Sequence, residues 1–510
     1  MLPNNQTAAN LYEQLKTKRE PFLKKARDCS ALTIPSLIPK EGISPGADFD
    51  STYQSVGARG VTNLAAKLLL ALLPPNTPFF KLAVDVYEMK KIEKDQNLKS
   101  SLEAALSEVE QAVMVEVETS ATRVTSFEAL QHLVVGGNAL IEVPDKDNLK
   151  VYHLNRYVVQ RDPMGNVKLI IIREDVAPDT LDPQVKRALG KEGKEKTCTI
   201  YTVCQRSAKR WNVWQETKEG LIEGTDGFYP ADKCPYIPLR FTKVDGEDYG
   251  RGFVEQYLGD LNSLEALDGA IVQGSIAAAK ILFLVLPSGL TSAKKLAEAN
   301  NGDFVAGRKD DVHCLQLDKY ADLQVAATKA EKIEKRLAEA FLLMSSVRNA
   351  ERVTAEEIRA LVQELESSLG GVYSVQAQDF QLPLSNALMA RMAKDGRLPA
   401  LPKKIVRPTV TTGVEALGRG QDLQKLQSFL ANAQQAFGPQ VLAQYVNPGE
   451  YFKRSATALA ISTKGLVRTD EEVQAQTQQA QQAAAMQSAT EKLGPEVIRQ
   501  AGAARAAAAA

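Results

Sequence analysis

The strongest constraint on how this chain can fold is a change in its hydrophobic period. Up to Leu133 the apolar residues recur every three or four positions, and from Ala139 to Glu216 they form short alternating or β-branched runs. Beyond Pro235 and Pro238 the helical rhythm returns. Helices and strands are therefore segregated along the chain, which makes the fold class α+β and mainly helical.

The first third begins with a charged amphipathic pattern, Leu11 to Asp28, and a loop broken by Pro35, Pro39 and Pro45. Val61, Leu64, Ala65, Leu68 and Leu72 then mark a buried helix that Pro74-Pro75 ends. Leu98 to Val117 and Ser126 to Leu133 are further helices, up to Gly136-Gly137. LKVYHL, YVVQR, VKLIIIR, CTIYTV and RWNVWQE read as strands, with Asp162 to Asn166 as a turn and Trp211 and Trp214 on opposite faces. Phe253 to Ala279 reads as one helix, kept slim by Gly269, Gly274 and Ala277 to Ala279. An insert follows, with ILFLVLP, DFVAG and VHCLQL as strands and Ala293 to Ala299 as a short helix. A second long helix runs from Asp318 to Met344.

A basic break, Ser345 to Val353, carries Arg348 and Arg352. Thr354, three residues before Glu357, forms a capping box for a helix reaching about Lys394, bent near Gly370-Gly371 or Pro383. Spacing alone leaves the break as either a helix-helix turn or a basic loop facing an anion. Val406 to Leu417 is a strand and turn, and Asp422 to Phe437 and Tyr451 to Ile461 are helices. The tail is rich in Gln and Ala.

With 510 residues and 44% hydrophobic content the chain can build a core of several domains. Lys+Arg and Asp+Glu both number 62, so bulk charge does not wrap nucleic acid and any DNA contact must be local. Five scattered cysteines fit neither a disulfide framework nor a zinc site, and suit a reducing compartment. The N-terminal residues lack a signal-peptide core. The most apolar run, Ile276 to Leu286, is about half the length that spans a bilayer, so the chain reads as soluble, without a membrane partner.

No phosphate loop, dinucleotide fingerprint or metal-binding spacing is present around Gly190 to Lys196, Gly250, Gly418, or His132, His153 and His313. The expectation is a non-enzyme with no cofactor and no metal. What stands out is charge. Glu255, Asp260, Glu265 and Asp268 make the first long helix acidic, whereas Lys329, Lys332 and Arg336 share one face of the second. Solvated faces often look like this; a passage for a sliding polyanion would look like this too, because weak phosphate contacts avoid a tight grip.

Several long blocks also carry a resemblance: QSVGARGVTNLAAKLLLALLPP (Gln54 to Pro75), RVTSFEALQHLVVGGNALI (Arg123 to Ile141), YVVQRDPMGNV, CPYIPLR, YGRGFVEQYLGDLNSLEAL, ERVTAEEIRALVQELESSLGGVYS and PTVTTGVEALGRGQDLQKL. In these blocks, which span roughly residues 10 to 430, the chain resembles the portal, or head-tail connector, family of T7-like short-tailed bacteriophages. The resemblance implies a portal fold with wing, stem, clip and crown regions, assembled as a ring of usually twelve subunits. It implies a wing over 1–248, stem helices over 249–280 and 319–344, and a clip over 281–318. It further implies a tunnel loop over 345–353, a long wing helix and wing strand over 354–421, and a crown with tail over 422–510. Arg348, Asn349 and Arg352 would belong to the DNA-channel loop. The charged residues of the two long helices would be channel-facing stem positions. The implied function is a channel for genome packaging and ejection at one capsid vertex of the virion, assembled in the host cytoplasm. Its implied partners are double-stranded DNA, the terminase large subunit, a tail adaptor, internal core proteins, and capsid and scaffolding proteins. The alternative is a noncatalytic virion scaffold or adaptor that oligomerises without conducting DNA.

Overall fold

Helix α1 (Ala8–Ala31) buries Leu11, Tyr12, Leu15, Leu23 and Ala26, and starts at Thr7, whose hydroxyl accepts the Asn10 N–H. In α2 (Val56–Leu72) the stripe Val61, Leu64, Ala65, Leu68 and Leu72 is fully buried, as its spacing requires. Strand β1 (Phe80–Val84), α3 (Gln96–Thr119) and α4 (Thr122–Gly136) follow. Buried residues lie all round α4, so it forms the centre against which α1 and α2 pack. These elements come from a computed structural model that describes residues 6–40, 42, 46, 48–75, 79–84, 96–189, 192–279, 282–315, 320–343, 355–398, 408–412, 419–449, 451–452, 455 and 478–483. The chain divides into two units, Met1–Ala83 with Ala112–Ala400 and Pro408–Ala416, and Val84–Gln111 with Leu401–Arg407 and Leu417–Ala510.

Within the first unit, α4 stops at Gly137, which is left-handed (φ 72°) and donates its N–H to the Leu133 carbonyl. A side chain there would collide with the backbone of Arg251, 2.4 Å from where a Cβ would stand. Asn138 then closes the corner, its amide donating to the Gly136 and Gly250 carbonyls at 3.0 and 2.8 Å and its Oδ1 accepting the Gly250 N–H at 2.7 Å. The glycine pair read as punctuation is thus also a docking point for residues more than a hundred positions later.

Strands β2 (Asn138–Glu142), β3 (Lys150–Tyr152) and β9 (Tyr236–Arg240) form one antiparallel sheet in the order β3-β2-β9. The larger sheet has the order β4-β5-β6-β7-β8, from β4 (Tyr157–Arg161), β5 (Val167–Val176), β6 (Cys198–Arg206), β7 (Arg210–Glu216) and β8 (Gly227–Pro230). Short helix α5 (Pro183–Ala188) interrupts the run between β5 and β6. Trp211 is buried while Trp214 packs on the Tyr12–Tyr201 cluster, on opposite faces as the spacing requires. The outer edge of β4 is closed by side chains. Tyr249 Oη accepts the Val159 N–H at 3.1 Å, and Asp248 Oδ1 accepts the Arg161 N–H at 2.7 Å. Fully buried Arg19 joins α1 to this edge, donating to the Asn155 and Tyr157 carbonyls at 3.0 and 2.9 Å.

The expected single helix Phe253 to Ala279 is two, α6 (Phe253–Gln256) and α7 (Leu258–Ala279). They part at Tyr257, whose ring sits in an aromatic group with Phe253 and Phe341, centroids 5.1 and 6.0 Å away. The insert pairs β10 (Leu282–Val285) with β11 (Val312–Leu315) around α8 (Ala293–Glu298). Its expected strand DFVAG is irregular instead. The turn is held by side chains, with Thr291 Oγ1 accepting the Arg308 N–H at 2.9 Å while Asp311 accepts the Thr291 hydroxyl at 2.9 Å.

Helix α9 (Tyr320–Ala340) stops short of the expected Met344. Its last carbonyls are turned aside at Leu342, the one described non-glycine residue with positive φ (55°). Past the break, α10 (Ala355–Leu369) ends at left-handed Gly370 and Gly371. After α11 (Val372–Gln376) and a π-turn over Ala377–Gln381 comes α12 (Leu382–Lys394); the break falls at Gly370-Gly371, and the helix runs on through Pro383, which sits in the first turn of α12. Strand β12 (Pro408–Thr412) pairs with β1. The capping-box Thr354 and most of Tyr451 to Ile461 lie outside the described residues. In the second unit, α13 (Arg419–Tyr445) breaks at Gly438-Pro439 and exposes Phe429, Phe437 and Tyr445.

Gly60 of α2 tests this packing, because a Cβ there would stand 2.5 Å from Phe341 Cγ. Gly60→Ala should cost about 1–3 kcal/mol through overpacking. At Gly259, helical with nothing within 4 Å of an added Cβ, alanine should gain up to about 1 kcal/mol. Urea midpoints of the two variants should therefore move in opposite directions.

Candidate functional site

The charged residues singled out in the sequence meet on α7 and α9, which run antiparallel. Asp260 pairs with Arg336 at 2.7 Å near one end, and Gly274 lies against Leu323 near the other. Ala330, Ile333 and Leu337 bury the inner face of α9, which leaves Lys329, Lys332 and Arg336 exposed together.

Most of the acidic positions have work inside the chain. Glu255 pairs with Arg251 at 3.0 Å, and Arg251 also pairs with Glu247 at 2.5 Å. These two carboxylates drive the Arg251 guanidinium further up, the hydrogen bond it donates to Glu247 contributing most. Glu265 accepts the backbone N–H groups of Tyr53 and Gln54 at 2.9 and 3.3 Å, and so ties the entry to α2 onto α7. Asp268 is different: partial burial and then the neighbouring Glu334 and Glu265 push its carboxyl up. Among the described residues no carboxylate lies within ion-pair distance of Lys329 or Lys332. Lys329 and Lys332 are therefore exposed cations, whereas Arg336 is held by Asp260.

Arg348, Asn349 and Arg352 lie outside the described residues. The end of α9 that leads to them is well defined. Leu342 donates its N–H to Glu339 and Leu343 to Ala338, at 3.1 and 2.8 Å, the Schellman pattern of a helix terminus. The Phe341 and Leu342 carbonyls accept from Asn63 Nδ2, each at 3.0 Å, and the Leu342 carbonyl also from Lys67 Nζ at 3.0 Å.

A model of the family "Bacteriophage head to tail connecting protein" matches residues 5–467. The portal protein of Escherichia phage T7 is 42% identical over 479 residues, covering 92% of this chain and 89% of that protein. The portal protein of Enterobacteria phage SP6 is 30% identical over 502 residues, covering 96% of each. The chain belongs to the phage portal, or head-to-tail connector, family. Among solved structures, the neck of a native GTA particle overlaps 80% of this chain and 90% of that chain at 12% identity and a TM-score of 0.32, too distant to bear on geometry.

In this portal-family chain a pair of strongly perturbed histidines lies away from α7 and α9. His132 and His153, far apart in sequence, stack with centroids 6.2 Å apart in the interior. Burial lowers His132 to about 3, with His153 adding repulsion. Burial, then Arg156, Arg19 and Arg27, lowers His153 to about 4. No spacing rule could have found this pair. Asn63 and Lys67 did leave a signal, as polar residues interrupting the apolar pattern of α2. Among the described residues no group of three His, Cys, Asp or Glu is placed to hold a metal ion, and no helix is long and apolar enough to cross a membrane.

Both histidines are neutral when folded and titrate near 6.5 when unfolded, so their contribution is fully present above pH 6.5. It is lost as pH falls toward 4. Urea midpoints measured between pH 7 and 4 should drop steadily, and His132→Leu should make that dependence shallower.

Proposed function

We propose that this chain forms a ring at one capsid vertex and serves as the conduit through which double-stranded DNA is packaged and ejected. The observation that carries the reading is the relationship over nearly the whole chain to portal proteins, 42% identity across 92% of its length. The exposed lysines Lys329 and Lys332, followed in the sequence by Arg348 and Arg352, support it. Phosphates moving past such isolated cations are held weakly and released easily.

On this reading the first 248 residues are mostly wing, α7 and α9 are stem helices, and the β10–β11 insert is the clip. The segment 345–353 is the tunnel loop, Arg348, Asn349 and Arg352 its DNA contacts, and the C-terminal helices from about Asp422 the crown. The clip serves as the platform for the terminase large subunit and later a tail adaptor, and the crown faces internal core proteins. The motor chemistry belongs to the terminase, and this chain acts without catalysis. The internal pairing of Glu255 and Asp260 makes them supports of the stem, leaving Asp268 and the lysines as the charges available to a passing strand.

Purified protein imaged down its axis should show rings with a central hole; monomers at every concentration would overturn the reading. Arg348→Ala with Arg352→Ala should leave rings intact and reduce DNA retained in filled particles severalfold. Intact rings with unchanged DNA would favour an adaptor that does not conduct DNA. Lys329→Ala with Lys332→Ala should flatten the salt dependence of DNA binding, by about 0.9 in log–log slope for each phosphate no longer neutralised.

A further inference from the structure

We propose that Asn63 and Lys67 are positioning residues, a polar clasp on α2 that fixes where the chain leaves α9 and, through that point, the placement of Arg348 and Arg352. The inference rests on the reading of those arginines as DNA contacts.

The clasp is built on one face of α2. Gly60, Asn63 and Lys67 stand at i, i+3 and i+7, and the face they share receives the end of α9. At Gly60 the absence of a side chain admits the fully buried Phe341 ring. One turn on, Asn63 donates to both the Phe341 and the Leu342 carbonyl. A further turn on, Lys67 donates to the Leu342 carbonyl from a side chain only 1% exposed. The same ammonium lies 3.5 Å from Glu364 of α10, the helix on the far side of the break. One buried cation therefore touches the turn that ends α9 and, across residues 344–354, helix α10.

Two features argue that this arrangement sets geometry and not merely stability. First, Leu342 occupies the left-handed terminal position where glycine is the usual residue, and a branched side chain there costs about 1–2 kcal/mol. The strained turn is over-determined by three side-chain hydrogen bonds to two adjacent carbonyls. Second, an apolar residue at position 67 would continue the buried stripe of α2 without burying a charge, which is the costlier choice. Burial indeed pushes the Lys67 ammonium down, against the opposing pull of Glu364. The carbonyls are the negative end of the α9 dipole, where a cation is favoured. What the charge supplies that a hydrocarbon cannot is a fixed register between α2, the end of α9 and α10.

The test compares Lys67→Met, Arg348→Ala with Arg352→Ala, and the combination, in full-length rings and in particles assembled from them. Lys67→Met should assemble, should speed amide exchange at Leu342 and Leu343 at least tenfold, and should lower DNA retention severalfold. In the background lacking both arginines it should cause no further loss. Lys67→Arg should restore much of the retention, since the guanidinium keeps donors at the same place. Unchanged exchange at Leu342 and Leu343 would overturn the clasp itself. Normal retention in a folded Lys67→Met ring, or losses that multiply with the arginine substitutions, would overturn its action through them. If the arginine substitutions alone change nothing, the DNA-contact reading has failed, and the exchange result still judges the clasp. Should Lys67→Met not fold, Asn63→Ala, which removes two of the three hydrogen bonds and keeps the ammonium, carries the same comparisons.

Discussion

Much of the first unit depends on a single helix–helix contact, the insertion of Phe341 against the bare backbone of Gly60 in α2. Phe341 also joins Phe253 at 5.5 Å and Tyr257 at 6.0 Å, so the end of α9 and the α6–α7 junction share one aromatic group. Because α2 is packed on α4, α9 and α10, a shift at this contact is felt by helices far apart in sequence. Interiors at this density transmit displacement rather than absorb it. The charged residues on α7 and α9 are thus carried on rigid supports, with Glu265 holding the entry to α2 and Asp260 bound to α9 through Arg336.

The separation of helical and strand periods made the fold class legible, and so did individual elements whose apolar spacing was undisturbed. The buried stripe of α2, the opposed Trp211 and Trp214, and the break at Gly370-Gly371 all follow from local rules. Local rules failed where distant side chains intervened. The helix read through Met344 ends at Ala340 because Asn63 and Lys67, nearly three hundred residues earlier, receive its carbonyls. The DFVAG segment has strand-forming residues, yet it pairs with no strand among the described residues and leads into Arg308, whose N–H Thr291 accepts.

The site was less legible than the fold, for the same physical reason. A charge pattern on a helix records which residues are ionic, not which are already paired. Asp260 and Glu265 read as free acids, yet each has a partner that the helical period cannot reveal, Arg336 on another helix and backbone N–H groups over two hundred residues away; only the Arg251 partner of Glu255 lies at helical spacing. Family membership entered through long blocks of sequence and not through any constellation of reactive groups.

The closed edge of β4 has a consequence wherever two copies of this chain meet. An open strand edge offers unpaired N–H and C=O groups to any identical edge nearby, and assembly raises the local concentration of such edges. Here Tyr249 and Asp248 occupy the N–H groups of Val159 and Arg161, and the opposite edge of the same sheet ends in Pro230, which has no N–H to give. The β4 edge of the sheet is thereby closed to a further strand. Strand pairing between copies along β4 would first have to displace these two side chains.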